Sequence, residues 1–192
     1  MRRVNLLIGI LFTISLFSCT KDAELVASSF SQQGGNAASQ SGAVATNWEH
    51  IINWNISDSS DFAIYQHQTA FTGVSGEILA SGAVMIFAKG IRLDDGRILD
   101  KPQKLPYAVY PSPGRPAYHE YYYYSVQPGS VHYKFRSNKH NYVPGADAEP
   151  PASLQFRAVI IPGEFLQRMG YTPHSVLTLS YEQLVSLTGI AP

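Results

Sequence analysis

The chain contains two runs of β-forming residues that flank a Pro-Gly pair, and this arrangement constrains its fold more than any other sequence feature. The runs lie within residues 118–136, and Gln127-Pro128-Gly129-Ser130 separates them. Such a pattern predicts an antiparallel hairpin in which Val126 lies opposite Val131. Because a Pro-Gly pair favours a type II turn, whose twist suits tight hairpins poorly, a bulge could shift this register by one residue.

The expected register gives the hairpin one apolar face and one polar face. The apolar pairs, which suit a protein core, are Val126 with Val131, Tyr124 with Tyr133, and Tyr122 with Phe135. On the other face Ser125 lies opposite His132, Tyr123 opposite Lys134, and Tyr121 opposite Arg136. The second face therefore places aromatic rings at cross-strand distance from cations.

Four residues of the polar face are the candidate ligand-binding residues: Tyr121, Tyr123, Lys134 and Arg136. The whole sequence is rich in aromatic residues, with 12 Tyr, 9 Phe and 2 Trp. Exposed tyrosines beside cations can stack on sugar faces or receive peptide groups, because tyrosine supplies rigid, amphipathic contact area. The plainer alternative, which the sequence alone favours, is that the tyrosines cover a neighbouring loop while cation–π contacts stabilise the strands by about 0.5–1 kcal/mol.

Residues 47–192 have the composition of a mainly β domain. Tyr, Phe, Val and Ile dominate this part, and Gly and Pro recur about every ten residues, as in short strands joined by turns. We therefore predict an antiparallel β-sandwich-like domain with a short C-terminal helix. Further strands are predicted at residues 48–56, 62–69, 83–88, 105–110 and 154–161, with a small hairpin around Asp94-Asp95-Gly96.

Three of these elements have clear local signals. Residues 83–88 form a continuous apolar run, which predicts a central strand buried on both faces. In residues 48–56 both tryptophans and two isoleucines share one parity, which predicts a single strand. Ser180 and Gln183 have the spacing of a capping box, and Gly189 suits the position after a helix, so a helix is predicted at residues 181–188.

The N-terminus has the layout of an export signal. Arg2 and Arg3 precede an apolar run, and a small residue, Ser18, precedes Cys19. The run of about 14 residues is shorter than the roughly 20 that a membrane-spanning helix needs. Cys19 is the only cysteine, so an internal disulfide cannot form. We predict a signal peptide at residues 1–18, a flexible linker at 19–46 and a β-rich globular domain at 47–192.

Leu16-Phe17-Ser18-Cys19 resembles the lipobox of the type II signal peptides found in bacterial lipoproteins. Phe17 departs from the small residue that is usual at its position. The resemblance implies cleavage before Cys19 and acylation of that cysteine with fatty acids such as palmitate, and several acyl chains would make the membrane attachment effectively permanent. The alternatives are an uncleaved membrane anchor and an ordinary cleaved signal with an accidental cysteine.

Two further stretches bear on location. Thr20-Lys21-Asp22-Ala23-Glu24 resembles an export tag that sends some Gram-negative lipoproteins to the outer face of the outer membrane, although an ordinary linker has the same composition. Residues 156–163, Phe-Arg-Ala-Val-Ile-Ile-Pro-Gly, are similar to a motif of small uncharacterised surface lipoproteins and secreted domains. This similarity implies an extracytoplasmic β-rich fold and no particular activity. The expected location is therefore the outer membrane or the cell surface.

The charge pattern argues against nucleic acid as a partner. Lys and Arg total 14, as do Asp and Glu. Without Arg2 and Arg3 the net charge is about −2. Nucleic-acid binding needs clustered basic residues, whereas here they are scattered singly along the sequence.

Motifs for nucleophilic catalysis and metal binding are weak. The only cysteine is assigned to lipid, no serine lies in a G-x-S-x-G elbow, and no phosphate loop or dinucleotide fingerprint occurs, so no cofactor is expected. The six histidines are dispersed, and only His119 and His132 share a hairpin face. Asp94, Asp95 and Asp100 could hold calcium, but Asp-Asp-Gly is more typical of a turn.

Two hypotheses for function follow. The preferred one is a lipoprotein whose β domain has a non-catalytic binding or structural role toward a glycan or an envelope protein. The alternative is an extracytoplasmic, glycosidase-like hydrolase that uses two carboxylates across a cleft. The candidate carboxylates for this alternative are Glu77, Glu120, Glu149 and Glu164.

Overall fold

A computed structural model describes residues 42–58, 61–114, 118–142 and 148–192. The predictions for residues 1–41, which include the signal peptide, Cys19 and most of the linker, lie outside the described residues. The end of the predicted linker is described, and Val44–Ala45 form a strand there instead of a flexible segment. The strands are β1 Val44–Ala45, β2 Glu49–His50, β3 Asn55–Asp58, β4 Ala63–Ala70, β5 Ala83–Lys89, β6 Ile91–Arg92, β7 Ile98–Leu99, β8 Gln103–Lys104, β9 Tyr107–Val109, β10 Glu120–Gln127, β11 Ser130–Ser137 and β12 Gln155–Ile161. The helices are α1 Gly76–Ser81, α2 Gly163–Arg168, α3 Pro173–Val176 and α4 Tyr181–Thr188, with a 3-10 turn at Lys139–Asn141. No helix within these described segments is long and apolar enough to cross a bilayer.

The first sheet, called the front sheet below, has the strand order β3-β4-β11-β10-β9, and all its neighbours are antiparallel. Its centre is the predicted hairpin of β10 and β11. Val126 lies opposite Val131, and Tyr121 lies opposite Arg136. Gly129 in the turn has a φ of 80°, which glycine adopts at no steric cost. The predicted register is confirmed without a shift.

The second sheet, called the back sheet, has the order β1-β12-β5-β8, with β2 also pairing with β12. Strands β5 and β12 pair over their full length, from Ala83 opposite Ile161 to Lys89 opposite Gln155. Successive β5 residues from Met85 to Ala88 are almost completely buried, so both faces of this strand are covered. This confirms the prediction of a central strand at residues 83–88.

The two sheets pack face to face around the main core. The back sheet contributes Ile86, Ala88, Phe156, Ala158 and Ile160, and the front sheet contributes Tyr65, Tyr122, Val131, Tyr133 and Phe135. The rings of Tyr133 and Phe156 stack with their centroids 4.7 Å apart. Burial of each such large side chain stabilises the fold by about 1.5–3 kcal/mol. The predicted antiparallel, β-sandwich-like fold is confirmed.

Helices α2, α3 and α4 cover the other face of the back sheet, where their apolar side chains pack against Met85, Phe87 and Val159. The capping box predicted for α4 is present, because Ser180 Oγ accepts a hydrogen bond from the Gln183 backbone N–H while the Gln183 side chain accepts one from the Ser180 N–H. The C-terminal helix is therefore confirmed. Helices α2 and α3 were not predicted, and they add a third layer to the sandwich.

The prediction of one strand at residues 48–56 is wrong. Strand β2 pairs with β12 of the back sheet, whereas β3 pairs with β4 of the front sheet. The chain crosses between the sheets at residues 51–54, and this crossing turns Ile51 into the core while Ile52 is 76% exposed. The alternation of apolar and polar residues in a sequence cannot show where the chain passes from one sheet to the other. The strand predicted at residues 105–110 is also shorter, limited to β9.

Candidate functional site

The outward face of the front sheet holds all four candidate binding residues. Side chains alternate between the faces of a strand, so the register decides which residues point away from the core. The outward positions are Asn55 and Ser57 on β3, Ile64, Gln66, Gln68 and Ala70 on β4, Ser130, His132, Lys134 and Arg136 on β11, Tyr121, Tyr123, Ser125 and Gln127 on β10, and Ala108 on β9. None of these positions is acidic. The face combines rings, amides, hydroxyls and two cations.

A groove of about 480 Å³ lies on this face at the β9 end of the sheet. Ala108 lies directly opposite Tyr121 in the register, so a small side chain leaves room beside the tyrosine ring. The groove is lined by Pro106, Tyr107, Ala108, Tyr121, Tyr122, Tyr123 and Arg136. It is therefore an open, largely aromatic groove with one cation in its wall.

Arg136 contacts two aromatic rings. Its Cζ atom lies 4.3 Å from the centre of the Tyr121 ring and 4.7 Å from the centre of the Phe62 ring. Those two rings meet edge to face, with centroids 6.4 Å apart. Each cation–π contact of this kind contributes about 0.5–1 kcal/mol at a partly exposed site. The contacts hold the guanidinium group beside the groove.

Lys134 is the second cation of this face that contacts a ring. Its Nζ atom lies 5.8 Å from the centre of the Tyr123 ring, directly across the hairpin. Within the described parts of the chain, neither Lys134 nor Arg136 forms an ion pair with a carboxylate. The two cations therefore keep their charge available on this face.

A small cluster of rings extends the groove toward the start of β10. The Tyr110 ring lies 5.3 Å from the His119 ring and 6.4 Å from the Tyr121 ring, between centroids. Tyr110 is 61% exposed, so much of its ring is open to solvent beside Tyr121. Sequence reasoning could not connect Tyr110, Phe62 and Ala108 with the hairpin. These residues reach it only because β9 pairs with β10 and β4 pairs with β11.

The four candidate residues are each partly exposed rather than covered. The described parts of the loop at residues 137–153 contribute no residue to the lining of the groove. A ligand can therefore reach Tyr121, Tyr123, Lys134 and Arg136 from solvent.

The carboxylates considered for a hydrolase lie on separate elements. Glu77 and Glu164 are exposed in the first turns of α1 and α2, and Glu149 is exposed in the loop before β12. Glu120 points inward and is only 2% exposed. Its carboxylate lies 3.8 Å from Arg92 and accepts a hydrogen bond from the Tyr122 hydroxyl. Burial, reinforced by this carboxylate, raises the pKa of Tyr122 well above its ordinary value.

The histidines and aspartates that the structure describes do not converge on a metal site. His119 packs against rings, whereas His132 lies farther along the sheet, where its Nε2 is 3.4 Å from Ser130 Oγ. Asp95 forms a turn by accepting hydrogen bonds from Arg97. Among the residues that the structure describes, no three His, Cys, Asp or Glu side chains are grouped so that they could hold an ion.

Comparison with known proteins assigns no family. No family model matches the chain, and no curated protein or solved structure is significantly similar to it. Inferences about function therefore depend on the sequence and the geometry of the chain itself.

Proposed function

We propose that this chain is a lipid-anchored glycan-binding protein whose binding surface is the outward face of the front sheet. The observation that carries the proposal is the groove beside Tyr121 and Tyr123, where the small side chain of Ala108 lies directly opposite Tyr121. Its volume of about 480 Å³ falls within the roughly 300–1,000 Å³ that is usual for small-ligand sites.

The chemistry of the face suits sugars. The apolar face of a pyranose ring stacks on an aromatic side chain, while its hydroxyl groups need donors and acceptors nearby. Gln66 lies opposite both Lys134 and Asn55 in the register, so amides continue the polar surface on the side of Lys134 away from Tyr123. Asn55, Gln66 and Gln68 are all exposed. Stacking and hydrogen bonding are therefore both available along one sheet face.

The lipid anchor supplies the cellular context of the proposal. The support for it is the lipobox-like stretch that ends at Cys19, together with the Ser-, Gln- and Gly-rich segment that follows. We propose that residues 20–41 act as a tether, because a Ser- and Gly-rich coil of about 22 residues has an end-to-end distance of roughly 26 Å. Such a tether would let the β domain reach polysaccharide beyond the membrane to which it is attached.

Glycan binding can be tested with the full chain, purified in a mild detergent, on an array of neutral and acidic polysaccharides. We expect Tyr121→Ala and Tyr123→Ala each to weaken binding by about tenfold, which corresponds to loss of about 1.4 kcal/mol. Tyr171→Ala is the matched control, because Tyr171 is also partly exposed but packs in the helical layer behind the back sheet. Failure of every polysaccharide to bind, or equal losses in all three variants, would contradict the proposal.

The anchor requires a separate test in cells. A chain carrying Cys19 should incorporate an alkyne analogue of palmitate and sediment with membranes, whereas Cys19→Ala should do neither. An unlabelled parent chain, or labelling that survives the substitution, would show that residue 19 is not the lipid attachment site.

A further inference from the structure

We propose that the glycan bound by the front sheet is acidic, and specifically a polysaccharide of uronic acids whose carboxylates pair with Arg136 and Lys134. This inference rests on the proposed function and adds the chemical class of the ligand. It comes from the charges of the sheet face rather than from its rings.

The charge on this face is one-sided. Lys134 and Arg136 are successive outward residues of β11, and none of the outward positions of the front sheet is acidic. The acidic residue of the hairpin, Glu120, lies on the inward face and is buried. The sequence hides this arrangement because the chain as a whole has equal numbers of acidic and basic residues. The fold therefore gives the front sheet a positively charged outward face, although the acidic and basic residues of the chain are equal in number.

The geometry of Arg136 favours a carboxylate partner. Its guanidinium Cζ is flanked by the Tyr121 and Phe62 rings at 4.3 and 4.7 Å, which restrains the group without using an acidic side chain of the protein. The planar fork of a guanidinium group donates two parallel hydrogen bonds to a carboxylate. Arg136 also lines the groove beside the two tyrosines. A sugar stacked on a tyrosine would thus place its own carboxylate near a restrained donor.

Lys134 provides a second cation one repeat along the strand. Outward residues of one strand are about 6.6 Å apart, since the rise is roughly 3.3 Å per residue. Lys134 lies opposite Tyr123, and Arg136 lies opposite Tyr121. The face therefore carries two successive pairs, each made of an aromatic ring and a cation. A polymer that carries a carboxylate on every sugar can use both pairs, whereas a neutral polymer can use only the rings.

The proposal is tested by comparing polygalacturonate with its fully methyl-esterified form, using the full chain in detergent. The two polymers share their sugar rings and differ in charge. We expect polygalacturonate to bind at least about tenfold more tightly and its affinity to fall as salt is raised. We expect Arg136→Gln to remove most of the difference and Arg136→Lys, which keeps the charge but lacks the fork, to have an intermediate effect.

Arg97→Gln is the matched control, because it makes the same change of charge on the exposed turn between β6 and β7. It should leave the affinity for polygalacturonate unchanged. Polyglutamate, a polyanion without sugar rings, should bind far more weakly than polygalacturonate. Circular dichroism on every variant confirms that the fold is retained.

The outcomes separate this inference from the proposed function. If the methyl ester or other neutral glycans bind as tightly as polygalacturonate, the charge inference is wrong while glycan binding stands. If polyglutamate binds equally well, or if Arg136→Gln and Arg97→Gln behave alike, the pairing with uronic acids is overturned. If no polysaccharide binds at all, both proposals fail.

Discussion

The guanidinium Cζ atom of Arg136 lies 4.3 Å from the centre of the Tyr121 ring, directly across the central hairpin of the front sheet. The contact joins two strands and also forms one wall of the groove. The same two residues therefore contribute to the stability of the sheet and to the proposed binding surface, and the two roles can be measured separately.

The stability role is measured by a double-mutant cycle with Tyr121→Ala and Arg136→Ala in urea denaturation. We expect a coupling free energy of about 0.5–1 kcal/mol. The matched cycle on Tyr123 and Lys134 should give a smaller value, because that cation lies 5.8 Å from its ring. A coupling near zero for Tyr121 and Arg136 would show that their contact is not energetically significant.

Arg157 on β12 should contribute strongly to stability. It is 5% exposed, its Nε donates to the Thr46 carbonyl at 2.8 Å, and its Nη1 donates to the Tyr181 hydroxyl. Arg157→Ala would remove the donor of the partly buried Thr46 carbonyl and of the buried Tyr181 hydroxyl, so we expect it to lower the free energy of unfolding by about 3 kcal/mol. Arg97→Ala, at an exposed turn, is the control and should cause little change in denaturant unfolding. Similar losses in the two variants would contradict the role of Arg157.

Gly90 should tolerate no side chain. Its φ is 74°, and a Cβ atom built there would lie 1.9 Å from the Ser153 carbonyl oxygen. We expect Gly90→Ala to destabilise the protein by about 3 kcal/mol or more, because a strained backbone is combined with a clash. Gly96 also has a positive φ, of 85°, but nothing lies within 4 Å of the corresponding position. Gly96→Ala should therefore cost only about 1 kcal/mol in thermal or urea unfolding, and equal costs would refute the close contact.

Glu49 should make stability depend on pH. Burial raises the pKa of its carboxyl group, although a hydrogen bond from Thr69 and the charge of His67 partly oppose this effect. The folded state then holds the proton more tightly than the unfolded state. Its contribution to stability is full below the ordinary pKa of glutamate and is lost as pH rises through the raised value.

Glu49→Gln removes this dependence. Urea unfolding of the parent and the variant, measured across the acidic range and up to neutral pH, should show the parent losing stability relative to the variant as pH increases. Parallel curves would mean that Glu49 has the same affinity for protons in the folded and unfolded states.

The parts of the fold that depend on local signals were predicted well. The Pro-Gly turn sets the hairpin register, and with side chains alternating along each strand, that register determines which residues of β10 and β11 point outward. The capping box of α4 is similarly contained within a few residues. Tyr121, Tyr123, Lys134 and Arg136 could therefore be assigned to one face from the sequence alone.

The parts that depend on distant pairing could not be predicted. Phe62 reaches Arg136 because β4 pairs with β11, and Ala108 reaches Tyr121 because β9 pairs with β10. No periodicity in the sequence identifies these partners. Pro162-Gly163 predicts the end of a strand, and β12 does end at Ile161. The same pair also begins α2, with Pro162 at the N-cap, and the sequence did not indicate this helix. The outward face of the front sheet lacks acidic side chains because of the way all five strands pair, so this property can be seen only in the folded structure.

The central claim, that the outward face of the front sheet binds glycan, is tested most directly by NMR of the full chain in detergent with labelled tyrosine rings. The chain is titrated with the oligosaccharide that binds best on the array. We expect saturable shifts at Tyr121, Tyr123 and Tyr110 and none at Tyr171 in the helical layer. Shifts confined to tyrosines outside the front sheet, or saturable binding that leaves Tyr121 and Tyr123 unperturbed, would contradict the claim.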